Sequence, residues 1–171
     1  MWRRTLYSNK VKKQLWFDYN WEDNLIVSKQ DETSRHFACF RSHTEFHHHI
    51  KDIPTPEQCF YEVLMGQKSR KPYFDIDIDL TKQPNITKEM SDKWIDKLIE
   101  NICDLIGDYF VPIIVMTSHR PDKLSYHLVV SRICLKSHVE SKAFALKVVT
   151  ADLKPFVDCA VYASVQQFRI L

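Results

Sequence analysis

The sequence predicts an α+β domain with a largely antiparallel sheet, and three stretches of it carry that prediction. Residues 73–80, YFDIDIDL, alternate strictly, with Tyr73, Asp75, Asp77 and Asp79 to one side and Phe74, Ile76, Ile78 and Leu80 to the other. A period of two belongs to a strand with one buried face. Residues 124–131, LSYHLVVS, alternate as a second half-polar strand. Between them, Met90, Trp94, Leu98, Ile102, Leu105 and Tyr109 recur at steps of three and four, which predicts a helix over 87–110.

The remaining elements follow in chain order. Residues 1–34 show no clear pattern and are assigned as an N-terminal segment packing on a core formed by 35–171. Residues 35–41 read as a strand, 43–51 as a short helix and 59–64 as a strand, and 66–72 as a turn by composition. Thr87 is a candidate N-cap for the long helix. The apolar run 111–117 has strand length, and the loop SHRPDK follows it. Ser137 and Glu140 form a capping-box pattern and open a helix to about 153, which Pro155 ends. Residues 158–162 and 166–171 both look strand-like. Because residue 171 lies inside an apparent strand, the natural chain is expected to continue, leaving the 35–171 domain truncated at its C-terminal end.

Composition narrows the function classes. The chain has 171 residues, 44% of them hydrophobic and 27% charged, which suits one packed domain. With 24 basic and 22 acidic residues, the formal charge of +2 neither announces nor excludes a polyanionic partner. Five cysteines with no CxxC pair argue against a disulfide framework or a zinc ribbon, and for free thiols in a reducing, intracellular compartment. The N-terminus has no apolar core of a secretory signal, and no run of about 18 apolar residues predicts a membrane span. Only Gly66 and Gly107 occur, so a Walker A loop and a Rossmann fingerprint are excluded. Any phosphate binding must come from side chains.

The residues that carry chemistry begin with Asp75, Asp77 and Asp79. Aspartate is a poor strand former, and alternate side chains on one strand face stand about 7 Å apart. Their repulsion turns into attraction around Mg²⁺ or Mn²⁺, which prefer carboxylate oxygen. A solvated strand face is the plainer alternative. Lys123, Ser125 and His127 share a strand face and form a donor set for phosphate oxygens, although polar outward residues are also ordinary on a surface strand. Asp158 supplies a third acid, and Arg169 is a candidate bidentate clamp on a triphosphate, where a surface ion pair is the default for each. Arg35, Arg41, His119 and Arg120 are weaker candidates for nucleic-acid contact. His47, His48 and His49 point in three directions on a helix and cannot share one ion, so they read as structural or surface residues.

Together these pieces resemble the archaeo-eukaryotic primase (AEP) superfamily, nearest its primase-polymerase branch and the primase domains of large DNA virus primase-helicases. The motifs stand in the family's order: YFDID with Asp75 and Asp77, KLSYHLVV with Lys123, Ser125 and His127, and DCAVYASVQQFRIL with Asp158 and Arg169. CFYEVL followed by KPYFDID adds to the likeness, which covers roughly residues 35–171. The resemblance implies an RRM-like core whose sheet face carries the acids. It implies that Asp75, Asp77 and Asp158 hold two divalent metals, Mg²⁺ or Mn²⁺. It implies that Lys123, Ser125, His127 and Arg169 bind the incoming nucleoside triphosphate. Asp79 is not required by the motif.

The function so implied is template-directed nucleotidyl transfer on single-stranded DNA, as a DNA primase or polymerase in replication initiation. A helicase domain in the same full-length chain is an expected partner, and host cytoplasm or nucleus the expected compartment for a viral source. A metal-dependent nuclease would use the same acids and lysine but has no use for a triphosphate clamp. A non-catalytic nucleic-acid-binding module would be expected to lack one of the acids, and all three are present.

Overall fold

The computed structural model describes residues 2–4 and 23–169. Its elements run β1 (Leu25–Gln30), β2 (Arg35–Phe40), α1 (His43–Ile50), β3 (Phe60–Met65), β4 (Tyr73–Asp79), α2 (Lys88–Ile106), β5 (Ile113–Thr117), β6 (Lys123–Val130), α3 (His138–Val148) and β7 (Val165–Arg169). The fold class is α+β, with two antiparallel sheets and three helices among the described residues. No described helix is long and apolar enough to cross a membrane. The five cysteines are free. The chain divides into two compact units, residues 1–65 with 165–171, and residues 66–164. The boundary expected between 34 and 35 therefore falls inside the first unit, at the turn joining β1 to β2. Most of the segment before it lies outside the described residues.

In the first unit, four strands pair in the order β2-β1-β3-β7. Leu25, Val27, Ala38, Phe40, Phe46, Ile50 and Phe60 form its main core, with Trp2 and Ile53 against it. Strand β1 escaped the sequence reading for a physical reason. It is a central strand, and Leu25, Ile26, Val27 and Ser28 are all buried, so no polar–apolar alternation marks it. Ser28 meets its burial by donating to Gln167 Oε1 on β7 at 2.6 Å. Helix α1 starts at Ser42, whose hydroxyl accepts from the Glu45 amide at 3.1 Å. His47, His48 and His49 are exposed on that helix.

In the second unit, β4-β6-β5 form a three-stranded antiparallel sheet. Its apolar face is built by Phe74, Ile76 and Ile78 of β4 with Leu124, Tyr126, Leu128 and Val130 of β6, all buried. Helices α2 and α3 meet this face. Tyr126 Oη lies 2.6 Å from Ser91 Oγ and donates to Asp92 Oδ1 at 2.8 Å, while the Phe144 ring meets Phe74. Helix α2 starts at Thr87, as expected, and ends at Gly107, whose φ of 74° is the left-handed conformation glycine adopts without penalty. Its buried stripe is Ser91, Ile95, Leu98, Ile102 and Cys103. The apolar stripe read from the sequence is rotated from this, and its Met90 and Leu105 are 42% and 44% exposed. The polar Ser91 hid the true stripe, because its hydroxyl is matched to Tyr126. Leu98 and Ile102 are fully buried, each contributing roughly 1.5–3 kcal/mol through lost water contact.

The C-terminal part of this unit departs from the sequence reading. Helix α3 stops at Val148, short of Pro155, which sits instead in the single 3₁₀ turn Lys154–Phe156. Residues 159–162 are a 3₁₀ turn and not a strand, and Asp158 caps it. The remaining glycine, Gly66, is a point of close approach, where an added Cβ would come within 2.8 Å of both His138 Nδ1 and the Ser164 carbonyl. Neither glycine thus belongs to a phosphate-cradling loop.

Burial pushes the Tyr126 hydroxyl pKa up to about 12, with the bond to Asp92 acting in the same direction. A raised folded-state value means that this group's stabilisation is complete below pH 10 and is lost as pH climbs from 10 towards 12. Tyr126→Phe is expected to cost about 1–3 kcal/mol near pH 7, since Ser91 and Asp92 lose their partner. Urea denaturation at pH 7, 9 and 11 checks this: the gap between the two proteins narrows at the highest pH.

Candidate active site

The strict alternation of β4 places its carboxylates on the sheet face opposite the two helices, and the pairing with β6 decides what they face. The register sets Asp75 opposite His127, Asp77 opposite Ser125 and Asp79 opposite Lys123. Three acids on one strand thus meet three proton donors on the next. Ser125 Oγ donates to Asp77 Oδ1 at 2.7 Å, and Lys123 Nζ reaches diagonally to Asp77 Oδ2 at 2.7 Å. His127 Nε2 stands 3.1 Å from Asp75 Oδ1. Asp75 Oδ1 is otherwise buried and makes no hydrogen bond among the described residues. The row deepens toward Asp75, whose side chain is 23% exposed against 41% for Asp77.

Asp158 arrives from 3₁₀ turns that lie along the free edge of β4. Val157 bridges Ile76 in antiparallel sense, and the Asp158 amide donates to the Asp75 carbonyl at 2.9 Å. Continuing that register sets Asp158 across from Asp75. Such opposed residues stand about 4.5–5.5 Å apart. Two tyrosines hold the turn there. Tyr162 Oη donates to the Tyr73 carbonyl at 2.8 Å, and Tyr73 Oη donates to the Val161 carbonyl. Asp158 Oδ1 accepts from the Ala160 amide at 2.8 Å, which fixes its side chain at the head of the turn.

The electrostatics of this face are unbalanced. Carboxylates about 7 Å apart repel by roughly 0.6 kcal/mol in water, and by roughly 2 kcal/mol at the effective permittivity of a protein surface. Among the described residues, the one ammonium paired with Asp75 or Asp77 is that of Lys123, so these two acids keep one net negative charge when His127 is uncharged, and Asp158 adds a further acid at the same strand edge. Among the described residues, no group of three or more His, Cys, Asp or Glu side chains stands as a ready metal cluster. The donor chemistry nonetheless fits a divalent cation at one point. Asp75 Oδ1 is an orphaned, buried carboxylate oxygen beside a second acid, the kind of group that a hard cation satisfies.

Asp79 has a different task. It accepts from the Thr81 amide at 3.0 Å and from the Thr81 hydroxyl at 2.5 Å, and pairs with Lys82 at 3.0 Å. These bonds close the turn after β4 and pull its pKa down to about 2, the Thr81 bond most of all. The structure therefore brings Asp75, Asp77, Asp158, Lys123, Ser125 and His127 together in the second unit. Arg169 lies on β7 of the first unit, paired in register with Tyr61, and its side chain is outside the described residues. Of the weaker candidates, Arg35 donates to Gln30 and lies over the Tyr61 ring, and Arg120 pairs with Asp122. The supporting tyrosines, Tyr73, Tyr126 and Tyr162, were not singled out from the sequence. A tyrosine on the buried face of a strand, which must find a polar partner, was the available signal for Tyr126.

No protein-family model matches the chain. It is similar to two helicase/primase complex proteins, so named provisionally, from African swine fever virus. It shares 27% identity over 164 residues with that of isolate Pig/Kenya/KEN-50/1950 and 26% over 172 residues with that of strain Badajoz 1971 Vero-adapted. Each alignment covers 83% of this chain, and the chain spans 16% of the length of each of these viral relatives.

Proposed function

We propose that the second unit carries the nucleotidyl-transfer site of a viral-type DNA primase acting in replication. The observation that supports this best is the register of β4 against β6, which sets two motif acids directly opposite the histidine and serine of the second motif. The third motif acid comes to the same place by its backbone bond to Asp75. The similarity to viral helicase/primase complex proteins points the same way, and makes a helicase a natural partner.

On this reading Asp75, Asp77 and Asp158 hold Mg²⁺ or Mn²⁺. Divalent ions there would neutralise charge developing on the attacking and leaving oxygens. The chain's own groups do the rest. Lys123, Ser125 and His127, which now engage the carboxylates, exchange those partners for the phosphate oxygens of the incoming nucleotide. The 3′-hydroxyl of the preceding nucleotide attacks the α-phosphorus, and pyrophosphate leaves. Positioning and charge neutralisation supply the rate, as in phosphoryl transfer generally. A nuclease would use the same acids and Lys123, but has no triphosphate for Ser125 and His127 to bind.

The test is primer synthesis on single-stranded DNA with labelled nucleotides and Mg²⁺ or Mn²⁺. The parent is compared with the double variant Asp75→Asn, Asp77→Asn. Asparagine keeps an acceptor for Ser125 Oγ and removes the charge, so melting temperature should hold while synthesis falls about 100-fold or more. Synthesis retained in the double variant sinks the acid assignment, and template degradation by the parent favours the nuclease. In the same assay His127→Ala is expected to raise the nucleotide KM about tenfold, from the loss of one charge-assisted phosphate contact. Unchanged KM and kcat would return His127 to a purely structural role.

A further inference from the structure

His119 sits in the loop between β5 and β6, outside the row of acids and donors, and its surroundings are unusual. Ser118 and Ser125 would normally close the end of this ladder with two reciprocal backbone bonds. One is present, from the Ser118 amide to the Ser125 carbonyl at 3.1 Å. The Ser125 amide donates instead to His119 Nδ1, at 3.2 Å. An Nδ1 that accepts places the proton of the neutral ring on Nε2. Nε2 is buried with no hydrogen-bond partner among the described residues. The ring is held by its edge contact with Tyr126, centroids 4.7 Å apart at 67°. A side chain that leaves a buried donor unmet calls for a reason, and here its other nitrogen is fully engaged.

That engagement leads to the acids. The amide that His119 holds belongs to Ser125, whose hydroxyl donates to Asp77 Oδ1 at 2.7 Å. We propose that His119 is a positioning residue for Asp77. By replacing a backbone acceptor, it fixes the Ser125 main chain so that, before nucleotide binds, Oγ points at the carboxylate. The proposal rests on the reading of Asp77 as a site acid. It gives the loop histidine a task separate from nucleic-acid contact. His119 itself does not touch Asp77, and no proton transfer is assigned to it.

The experiment uses three variants and nuclear magnetic resonance at one fixed pH, with primer synthesis by the parent run in parallel. His119→Phe keeps the ring edge against Tyr126 and loses the acceptor. His119→Asn restores an acceptor at the position of Nδ1. Ser125→Ala gives the reference for an Asp77 that has lost its hydroxyl partner. In His119→Phe, the Ser125 amide is expected to exchange with solvent about tenfold faster or more. Its Asp77 carboxyl ¹³C signal should move toward the Ser125→Ala position, and His119→Asn should return both signals. An Asp77 signal unmoved by His119→Phe, or one that His119→Asn fails to return, overturns the inference. If the signals behave as described while the parent makes no primers, the positioning role stands and the proposed function falls.

Discussion

The antiparallel register of β4 on β6 is the constraint on which the rest of the site depends. Side chains alternate with a period of two, so a slip of one residue would turn Asp75 and Asp77 into the apolar face and Phe74, Ile76 and Ile78 out of it. Burial of those three residues, each fully inaccessible, makes that slip prohibitive. The hydrophobic face of this strand pair thus fixes the polar face. The precision with which Asp77 meets Ser125 is a by-product of apolar packing against α2 and α3, and needs no strong interaction among the polar groups themselves.

The polar face in turn shows how a concentrated negative charge is tolerated. Each acid has a different arrangement. Asp77 is held by a hydroxyl and an ammonium, Asp79 by the turn it closes, and Asp158 by an amide in its own 3₁₀ turn. Asp75 alone keeps a buried oxygen without a hydrogen bond. The deepest acid is therefore the least satisfied, which is the reverse of what stability alone would select. Sites that bind a charged ligand commonly carry such a deficit.

Much of the second unit was legible in the sequence, because its strands have one wet face and its helices have capped starts. The β4 and β6 alternation, Thr87 and Ser137 as caps, and the shared face of Lys123, Ser125 and His127 all follow from period and residue chemistry. The departures have specific causes. A strand buried on both faces, β1, has no alternation to read. The true stripe of α2 includes a serine, so an apolar count rotates it. The segment around Asp158 looked like a strand because Cys, Ala, Val and Tyr are permissive residues; it turns into 3₁₀ structure through contacts with Tyr73 far away in sequence. The position of Asp158 beside Asp75 was accordingly beyond any local pattern, and only family motif order hinted at it. Arg169 shows the same limit, since its strand pairs with β3 in the other unit.

The tyrosine bond that seats the Asp158 turn joins residues 89 positions apart. The entropy of closing so long a loop grows only with the logarithm of its length, roughly 0.6 kcal/mol for each doubling. The connections between elements in this span, as distinct from β6 and the helices themselves, can therefore lengthen or shorten at little thermodynamic expense, provided the two tyrosine anchors persist. Two acids are fixed by the pairing of β4 with β6, while the third is delivered to the free edge of β4 from the far end of the span. Such a division separates the length of the connecting loops from the placement of Asp158.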